Sequence, residues 1–300
     1  MKIAILGARG GWHEARLGTA LAARGAEPVV VPITALTARV GDGVRLAADG
    51  VRLDRCQAVL VRAIPPGSLE QVIFRVDALH RLVRHGVAVI NSPRSVERSV
   101  DKYFTSTLLA EAGLPTPRTV VCERFDDALG AFADLGRDVV VKPIFGAEGR
   151  GIVRVTDADL AYRTFRALEL GRSVFYLQEY VPHAGRDVRA FVVGGRTRAA
   201  MTRAGEGWKT NVAQGARPEP LALAPALARL AEQAAAVVEA DYAGVDLLPA
   251  DDGRVFVVEV NGIPGWRGLQ RTTETDIAGL IADHVVAVAA GARADAPVPR

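Results

Sequence analysis

Residues 244–261 limit the fold of this chain more than any other stretch. Gly244-Val245-Asp246-Leu247-Leu248 and Val255-Phe256-Val257-Val258-Glu259-Val260-Asn261 are apolar, β-branched runs, and Asp251-Asp252-Gly253-Arg254 between them is a strong turn signal. The pattern predicts an antiparallel hairpin with Leu248 opposite Val257 and Asp246 opposite Glu259. Side chains alternate along a strand, so Asn261 joins Glu259 on one face. Two carboxylates that close repel each other unless a cation lies between them. Oxygen donors without Cys or His suit Mg²⁺ or Mn²⁺, and a small set of protein ligands leaves positions for phosphate oxygens. A polar strand edge facing water is the alternative, since acidic residues at strand ends are common.

The first 93 residues alternate strand and helix. Strands are expected at Ile3 to Leu6, Pro28 to Val31, Ala58 to Val61 and Val87 to Ile90, with helices over Glu14 to Arg24 and Leu69 to His85. Such alternation implies a parallel sheet covered on both faces. The loop Gly7-Ala8-Arg9-Gly10-Gly11 misses the spacing of a dinucleotide fingerprint, and the second strand ends Val31-Pro32 without an acidic residue, so NAD is not expected there. One helix is predicted from Val96 to Ala112, with Val100, Phe104, Leu108 and Ala112 on its inner face, and Leu114-Pro115-Thr116-Pro117 must be extended. Beyond it come strands at Thr119 to Cys122, Val139 to Lys142, Val153 to Val155 and Val174 to Tyr180, interleaved with helices over Asp126 to Leu135 and Leu160 to Leu168. A third section holds hairpin strands at Val188 to Val193 and Thr197 to Thr202, a helix from Pro225 to Asp241, the acidic hairpin, and a helix from Asp276 to Ala289. The expected units are 1–95, 96–181 and 182–290, with a Pro- and Ala-rich disordered tail at 291–300.

Three hundred residues with 49% hydrophobic content can bury a core split over two or three lobes. The 37 basic residues are balanced by 34 acidic ones and spread along the chain, which argues against a nucleic-acid partner. No window offers a membrane span, and the N-terminal apolar run is too short for a signal peptide, so a cytoplasmic protein is expected. Cys56 and Cys122 have neither metal-ligand nor disulfide spacing and read as free thiols.

Only four lysines occur: Lys2, Lys102, Lys142 and Lys209. Lys142 ends an apolar strand and is followed by the glycine-rich run Gly146-Ala147-Glu148-Gly149-Arg150-Gly151. Glycines let backbone N–H groups turn toward an anion, and a lysine at the root of the loop neutralises phosphate charge. Without Gly-Lys-Ser/Thr, and with a strand rather than a helix following, this reads as a flap over phosphates and not a P-loop. The stretch Gln178-Glu179-Tyr180-Val181 is a candidate adenine-binding linker, with Glu179 or Asp187 accepting from ribose hydroxyls. Asp187 and Arg189 share a strand face, where a surface ion pair is the alternative. Arg203, near Lys209 and Asn211, is placed to stabilise charge developing in phosphoryl or acyl transfer, or else is simply solvated.

In combination, Asp101-Lys102, Val141-Lys142 with its flap, Gln178-Glu179-Tyr180, Asp187-Val188-Arg189, Asp246, Glu259-Val260-Asn261 and the run from Gly262 through Thr272-Thr273-Glu274-Thr275-Asp276 resemble the RimK-type ATP-grasp ligases, over nearly the whole chain. The resemblance implies an ATP-grasp fold, α/β and α+β, behind a Rossmann-like N-terminal domain. It implies ATP held by Lys102, Lys142, Gly146, Glu148, Gly149, Gly151, Gln178, Glu179, Tyr180, Val181, Asp187, Arg189, Lys209 and Asn211. Two Mg²⁺ or Mn²⁺ ions would be bound by Asp246, Glu259 and Asn261, and Lys142 and Arg203 would take part in the chemistry. Two departures from the ribosomal-protein modifiers stand out: Lys209-Thr210-Asn211 and Gly265-Trp266-Arg267-Gly268. The run Pro264-Gly265-Trp266-Arg267-Gly268 looks more like the branch acting on pterin, furan or similar cofactors, with Arg62, Trp266 and Arg267 as substrate candidates: Trp266 stacking an aromatic acceptor and Arg267 holding a carboxylate.

The expected activity is ATP-dependent ligation of an amino acid, commonly L-glutamate, to a small carboxylate-bearing acceptor of tetrahydromethanopterin type through an acyl phosphate, by a homo-oligomer (dimer or tetramer). Glutamylation of a ribosomal protein tail or an amino-group carrier protein, and ligation onto an amine such as tyramine, are alternatives within the fold. A nucleotide-binding regulator without catalysis is the alternative from another class.

Overall fold

The computed structural model describes residues 1–294 except 42, 44, 147 and 148, with 292–294 described by backbone alone. The N-terminal alternation forms a four-stranded parallel sheet in the order Glu27–Val31, Lys2–Leu6, Ala58–Val61, Ala88–Ile90. Helix Leu69–Arg84 begins in a capping box, Ser68 accepting from Gln71 N–H while the Gln71 side chain returns to Ser68 N–H. A small antiparallel sheet of Leu36–Arg39, Arg45–Ala48 and Val51–Arg52 follows the second strand. The sequence does not announce it, because its strands are short and carry arginines.

The expected single helix from Val96 to Ala112 is two helices, Pro93–Val100 and Lys102–Glu111. Asp101 leaves the helical region and caps the second, its carboxylate accepting from Phe104 N–H at 3.0 Å. The break also rotates the buried face: Thr105 and Leu109 are buried, while Val100 and Phe104 stand exposed. Lys102 thereby opens a helix, its N–H donating to Ile144 O at 3.3 Å just past the strand Val139–Lys142.

The central lobe is an antiparallel sheet ordered Val153–Val155, Val139–Lys142, Phe175–Glu179, Thr119–Cys122, and helices Phe125–Asp134 and Ala158–Leu170 cover it with Phe132 and Phe165. The C-terminal lobe is a five-stranded antiparallel sheet ordered Arg217–Pro220, Arg196–Ala204, Arg186–Val193, Tyr242–Pro249, Val255–Asn261, whose first strand sequence reading missed. Period two sorts its side chains. Val188, Ala190, Val192, Val245 and Leu247 pack under helix Pro225–Val237, leaving Asp187, Arg189 and Asp246 on the other face.

The acidic hairpin forms with Asp246 opposite Glu259, as expected. Leu248, however, faces Phe256, and Val257 pairs with Leu247, because the register shifts between Asp246 and Leu247. The consequence is chemical. Val257 and Val260 both lie in the helix-side core, so unbroken alternation from Val257 would have buried Glu259 there. The bulge brings Val258 and Glu259 together onto the opposite face.

The last helix, Ile277–Ala294, runs past the expected end at Ala289 into the segment read as a disordered tail; 295–300 lie outside the described residues. It returns to the N-terminal lobe, where Ile281 and Val285 share a core with Ile5, Leu17 and Leu21. Asn91, fully buried at the end of the parallel sheet, ties the lobes together. Its Nδ2 donates to Tyr242 O at 2.8 Å and Gly262 O at 2.5 Å, and its Oδ1 accepts from the N–H groups of Asp241 and Tyr242. Asn91→Ala strands those buried groups and is expected to cost about 2 kcal/mol in urea unfolding. Among the described residues no helix is long and apolar enough to cross a membrane.

Candidate active site

The central and C-terminal sheets face each other across a cleft that is open to solvent and holds about 700 Å³ of space, part of it bulk solvent. Lys142, Gln178, Glu179, Tyr180, Val181, Asp187, Arg203, Lys209, Asn211, Asp246 and Glu259 all line it. A smaller adjoining recess is lined by Lys102, Gly146, Gly149, Arg150 and again Glu259. Glu259 is thus common to both, at the point where the two lobes approach.

Lys142 ends its strand with Nζ donating to Gln178 Oε1 at 2.6 Å, and Gln178 Nε2 donates to Thr119 Oγ1 at 3.0 Å. Gln178, which also lines the cleft, therefore orients the lysine. Burial lowers the Lys142 ammonium to about 8, against the opposing pull of Glu259. Lys102 Nζ donates to the carbonyl of Gly146 at 2.7 Å, tying the flap to the helix that begins at Lys102. In the flap, Gly149 and Gly151 have φ of +71° and +72°, and a Cβ on Gly149 would run into the Asn211 side chain. Glu148 lies outside the described residues.

On the opposite wall Asp187, Arg189, Arg203 and Asp246 form a buried network. Arg189 donates to both Asp246 oxygens, at 2.6 and 2.7 Å. Arg203 donates to both Asp187 oxygens and reaches Asp246 Oδ2 at 2.8 Å. Thr210 Oγ1 also donates to Asp187. Asp187 and Arg189 are therefore not partners of each other in a surface pair. Burial alone would raise Asp246, but the guanidiniums of Arg189 and Arg203 outweigh it and hold the carboxyl below its ordinary range.

Whether the acidic set suits a hard cation can be judged from its unused lone pairs. Glu259 has no ion-pair partner among the described residues. Asp246 Oδ1 accepts one hydrogen bond while Oδ2 accepts two, so Oδ1 keeps a free lone pair. Asn261, two residues from Glu259 on the same strand face, uses Oδ1 to accept from Ile263 N–H at 2.9 Å, which fixes the oxygen and leaves it a second lone pair. Oxygen-only donors from these three residues fit Mg²⁺ or a similar hard ion. No cluster of three His, Cys, Asp or Glu occurs among the described residues, so the amide oxygen of Asn261 and a ligand's own oxygens are part of that fit.

Residues that sequence reading did not select also line the cleft: His183, Trp208 and Ile152. Tyr180 makes ring contacts with His183 at 5.8 Å and Trp208 at 6.4 Å. The His183 nitrogens lie 2.8 Å from Val181 O and 3.0 Å from Trp208 O, bridging the linker to the loop after Arg203. No spacing rule marks them; they meet only because two lobes fold together. The Glu179 carboxylate is held by the amide and guanidinium of Arg118, at 2.9 and 2.7 Å.

Two substrate candidates are corrected. Trp266 is fully buried and touches His13, Phe191 and Trp12, leaving no face for an acceptor. Arg62 is buried, donating to Pro264 O at 2.9 Å and to the Tyr242 hydroxyl at 3.2 Å, so it fixes the loop after Asn261. Arg267 alone of the three is exposed. The Gly7–Gly11 turn holds the Glu14 carboxylate where Cβ atoms on Gly7 and Gly11 would sit, which disfavours a dinucleotide phosphate there. His13 accepts from Trp266 N–H at 3.1 Å. Burial, then the charges of Arg62 and Arg267, lower His13 from 6.5 to about 4. The unfolded chain takes up this proton first, so the stabilisation is complete above pH 6.5 and fades as pH falls toward 4. Urea unfolding of His13→Gln is expected to lose less stability across that window than the wild type does.

The same fold recurs in known proteins. A model of the RimK-like ATP-grasp domain matches residues 99–285. The tetrahydromethanopterin:alpha-L-glutamate ligase of Methanococcus maripaludis is 33% identical over 294 residues, covering 95% of this chain and 98% of that one. The alpha-aminoadipate–LysW ligase LysX of Saccharolobus solfataricus is 31% identical over 197 residues, covering 64% and 72%. Among solved structures, the ATP-grasp ligase PsnB complexed with a phosphomimetic variant of its minimal precursor, Mg and ADP superposes with a TM-score of 0.72 at 25% identity, covering 95% of this chain and 98% of that one. The chain belongs to the RimK-like ATP-grasp family.

Proposed function

We propose that this ATP-grasp carbon–nitrogen ligase adds L-glutamate to a small, carboxylate-bearing acceptor, forming ADP and phosphate by way of an acyl phosphate. The observation that carries the reading is the convergence of Lys142 from one lobe with Asp246 and Glu259 from another on a single cleft. The full-length similarity to a glutamate ligase supports glutamate as the incoming amino acid.

In this reading the linker Glu179–Val181 receives adenine, and Asp187 lies below the ribose. Lys142 and Lys102 neutralise the phosphates under the flap of Gly146, Gly149 and Gly151. Asp246, Glu259 and Asn261 hold two Mg²⁺ or Mn²⁺ ions, which supply alignment of the triphosphate and neutralise its charge. Asp187 and Asp246 are paired with Arg189 and Arg203 before any ligand enters, while Glu259 is left unpaired and acts on Lys142 only through its field. An acceptor carboxylate oxygen attacks the γ-phosphorus and ADP leaves. The glutamate amine then attacks the acyl carbon, giving a tetrahedral oxyanion beside Arg203, and phosphate departs. The similarity to LysX gives a second reading, in which the acceptor carboxylate belongs to a carrier protein. Measuring ADP release with glutamate plus pterin-linked, folate-like and tyramine-like compounds, against candidate proteins, separates the two. Turnover with the small acids supports the first reading; turnover confined to protein acceptors overturns it. A cytoplasmic homo-oligomer is part of the proposal, tested by light scattering.

A further inference from the structure

We propose that Trp12, Arg16 and Arg267 form a subsite for the anionic far end of the acceptor, a carboxylate or phosphate group carried on a small molecule; this rests on the ligase reading above. The loop that leads from Asn261 to Arg267 is pinned at three points by the N-terminal lobe: Gly262 O by Asn91, Pro264 O by Arg62, and Trp266 N–H by His13. Arg267 follows directly and is therefore held in place while its side chain is exposed. Its guanidinium carbon lies 5.9 Å from the centroid of the Trp12 ring. That of Arg16, one helical turn beyond Trp12, lies 5.9 Å from the same ring.

Two cations sharing one ring are unusual within this molecule. Elsewhere an arginine resting on an aromatic ring also has an acid. Arg154 over Tyr180 pairs with Asp138, Arg166 over Phe125 with Glu169, and Arg254 over Phe256 with Asp252. Arg16 and Arg267 have no carboxylate partner among the described residues. Arg62, over the ring of Trp266 at 4.7 Å, adds a third positive charge bonded only to neutral oxygens. His13 between them is uncharged at neutral pH and offsets nothing. Glu14, on the same helix as Trp12 and Arg16, is committed inside the glycine turn. Like charges gathered without a counter-charge favour an arriving anion.

Arg267 is carried by the loop that leaves the strand Val255–Asn261. Gly244 lacks a side chain where a Cβ would come within 3.1 Å of Pro264 and 3.6 Å of Arg189. Pro264 thus packs close to the arginine that holds Asp246, and Arg267 is three residues along the same loop. An acceptor with one carboxylate at the metal-binding strand and an anionic tail toward Trp12 would span this stretch.

The probe is triglutamate, with trialanine as its neutral match of equal backbone length, titrated calorimetrically into the full chain holding a non-hydrolysable ATP analogue and Mg²⁺. Triglutamate is expected to bind at least about tenfold more tightly than trialanine, and Arg16→Gln and Arg267→Gln are each expected to weaken it about tenfold. Affinity for the ATP analogue should stay unchanged in both variants. Equal binding of the two peptides, or triglutamate binding that survives both substitutions, would overturn the subsite. ADP release is measured separately: its absence with every acceptor, alongside selective triglutamate binding, would sink the ligase reading and leave the subsite standing.

Discussion

Glu259→Gln is expected to reduce ADP formation by at least about a thousandfold, some 4 kcal/mol of transition-state stabilisation. The substitution keeps the shape of the side chain and removes its charge. Glu259 lines both the cleft and the adjoining recess and has no ion-pair partner among the described residues, so losing that charge breaks no ion pair among them. Thermal unfolding of the variant should match the wild type within a few degrees. Coupled-assay turnover and a melting curve on the same preparation check the two halves. Normal ADP release from a folded variant would refute the assignment of Glu259 to the metal set.

Arg203→Met is expected to act on stability as strongly as on activity. Arg203 is buried and serves Asp187 and Asp246 at once. Removing it leaves Asp187 a buried carboxylate with Thr210 as its remaining side-chain donor, at a cost of about 3–5 kcal/mol. Adding Asp187→Leu removes the stranded charge, so the double variant should regain part of the loss in urea unfolding while remaining inactive. The stability regained reports the pairing of Arg203 with Asp187, whereas the catalytic role of Arg203 is read from the single variant, because Asp187→Leu also removes the group proposed below the ribose. A double variant no more stable than the single one would show that the pair is not the unit described.

Much of the site was legible because its residues lie on strands, where period two fixes the facing side chain. Asp246, Glu259 and Asn261 could be assigned to one face from the hairpin alone, and Lys142 with its glycines could be read from strand–loop–strand spacing. What failed depended on irregularity or on distant chain. The bulge after Asp246 has no local signature, so Leu248 was set against Val257 although Glu259 was placed correctly. The apolar periodicity from Val96 to Ala112 concealed the break at Asp101, because Asp is equally a helix-surface residue and a cap; only the bond to Phe104 N–H distinguishes them. Trp266 and Arg62 looked like ligand-facing residues by type. Their burial follows from three lobes meeting around the loop after Asn261, a contact between residues some two hundred positions apart in sequence. The aromatic surface beside Arg267 is Trp12, at the other end of the chain.

The most direct test of the central claim is manganese binding followed by electron paramagnetic resonance. With a non-hydrolysable ATP analogue present, the wild type is expected to bind two Mn²⁺ ions per chain, and Glu259→Gln to lose both while remaining folded. Equal Mn²⁺ occupancy in the wild type and the variant, or nucleotide binding that recruits no metal, would contradict a divalent-ion site built on Asp246, Glu259 and Asn261.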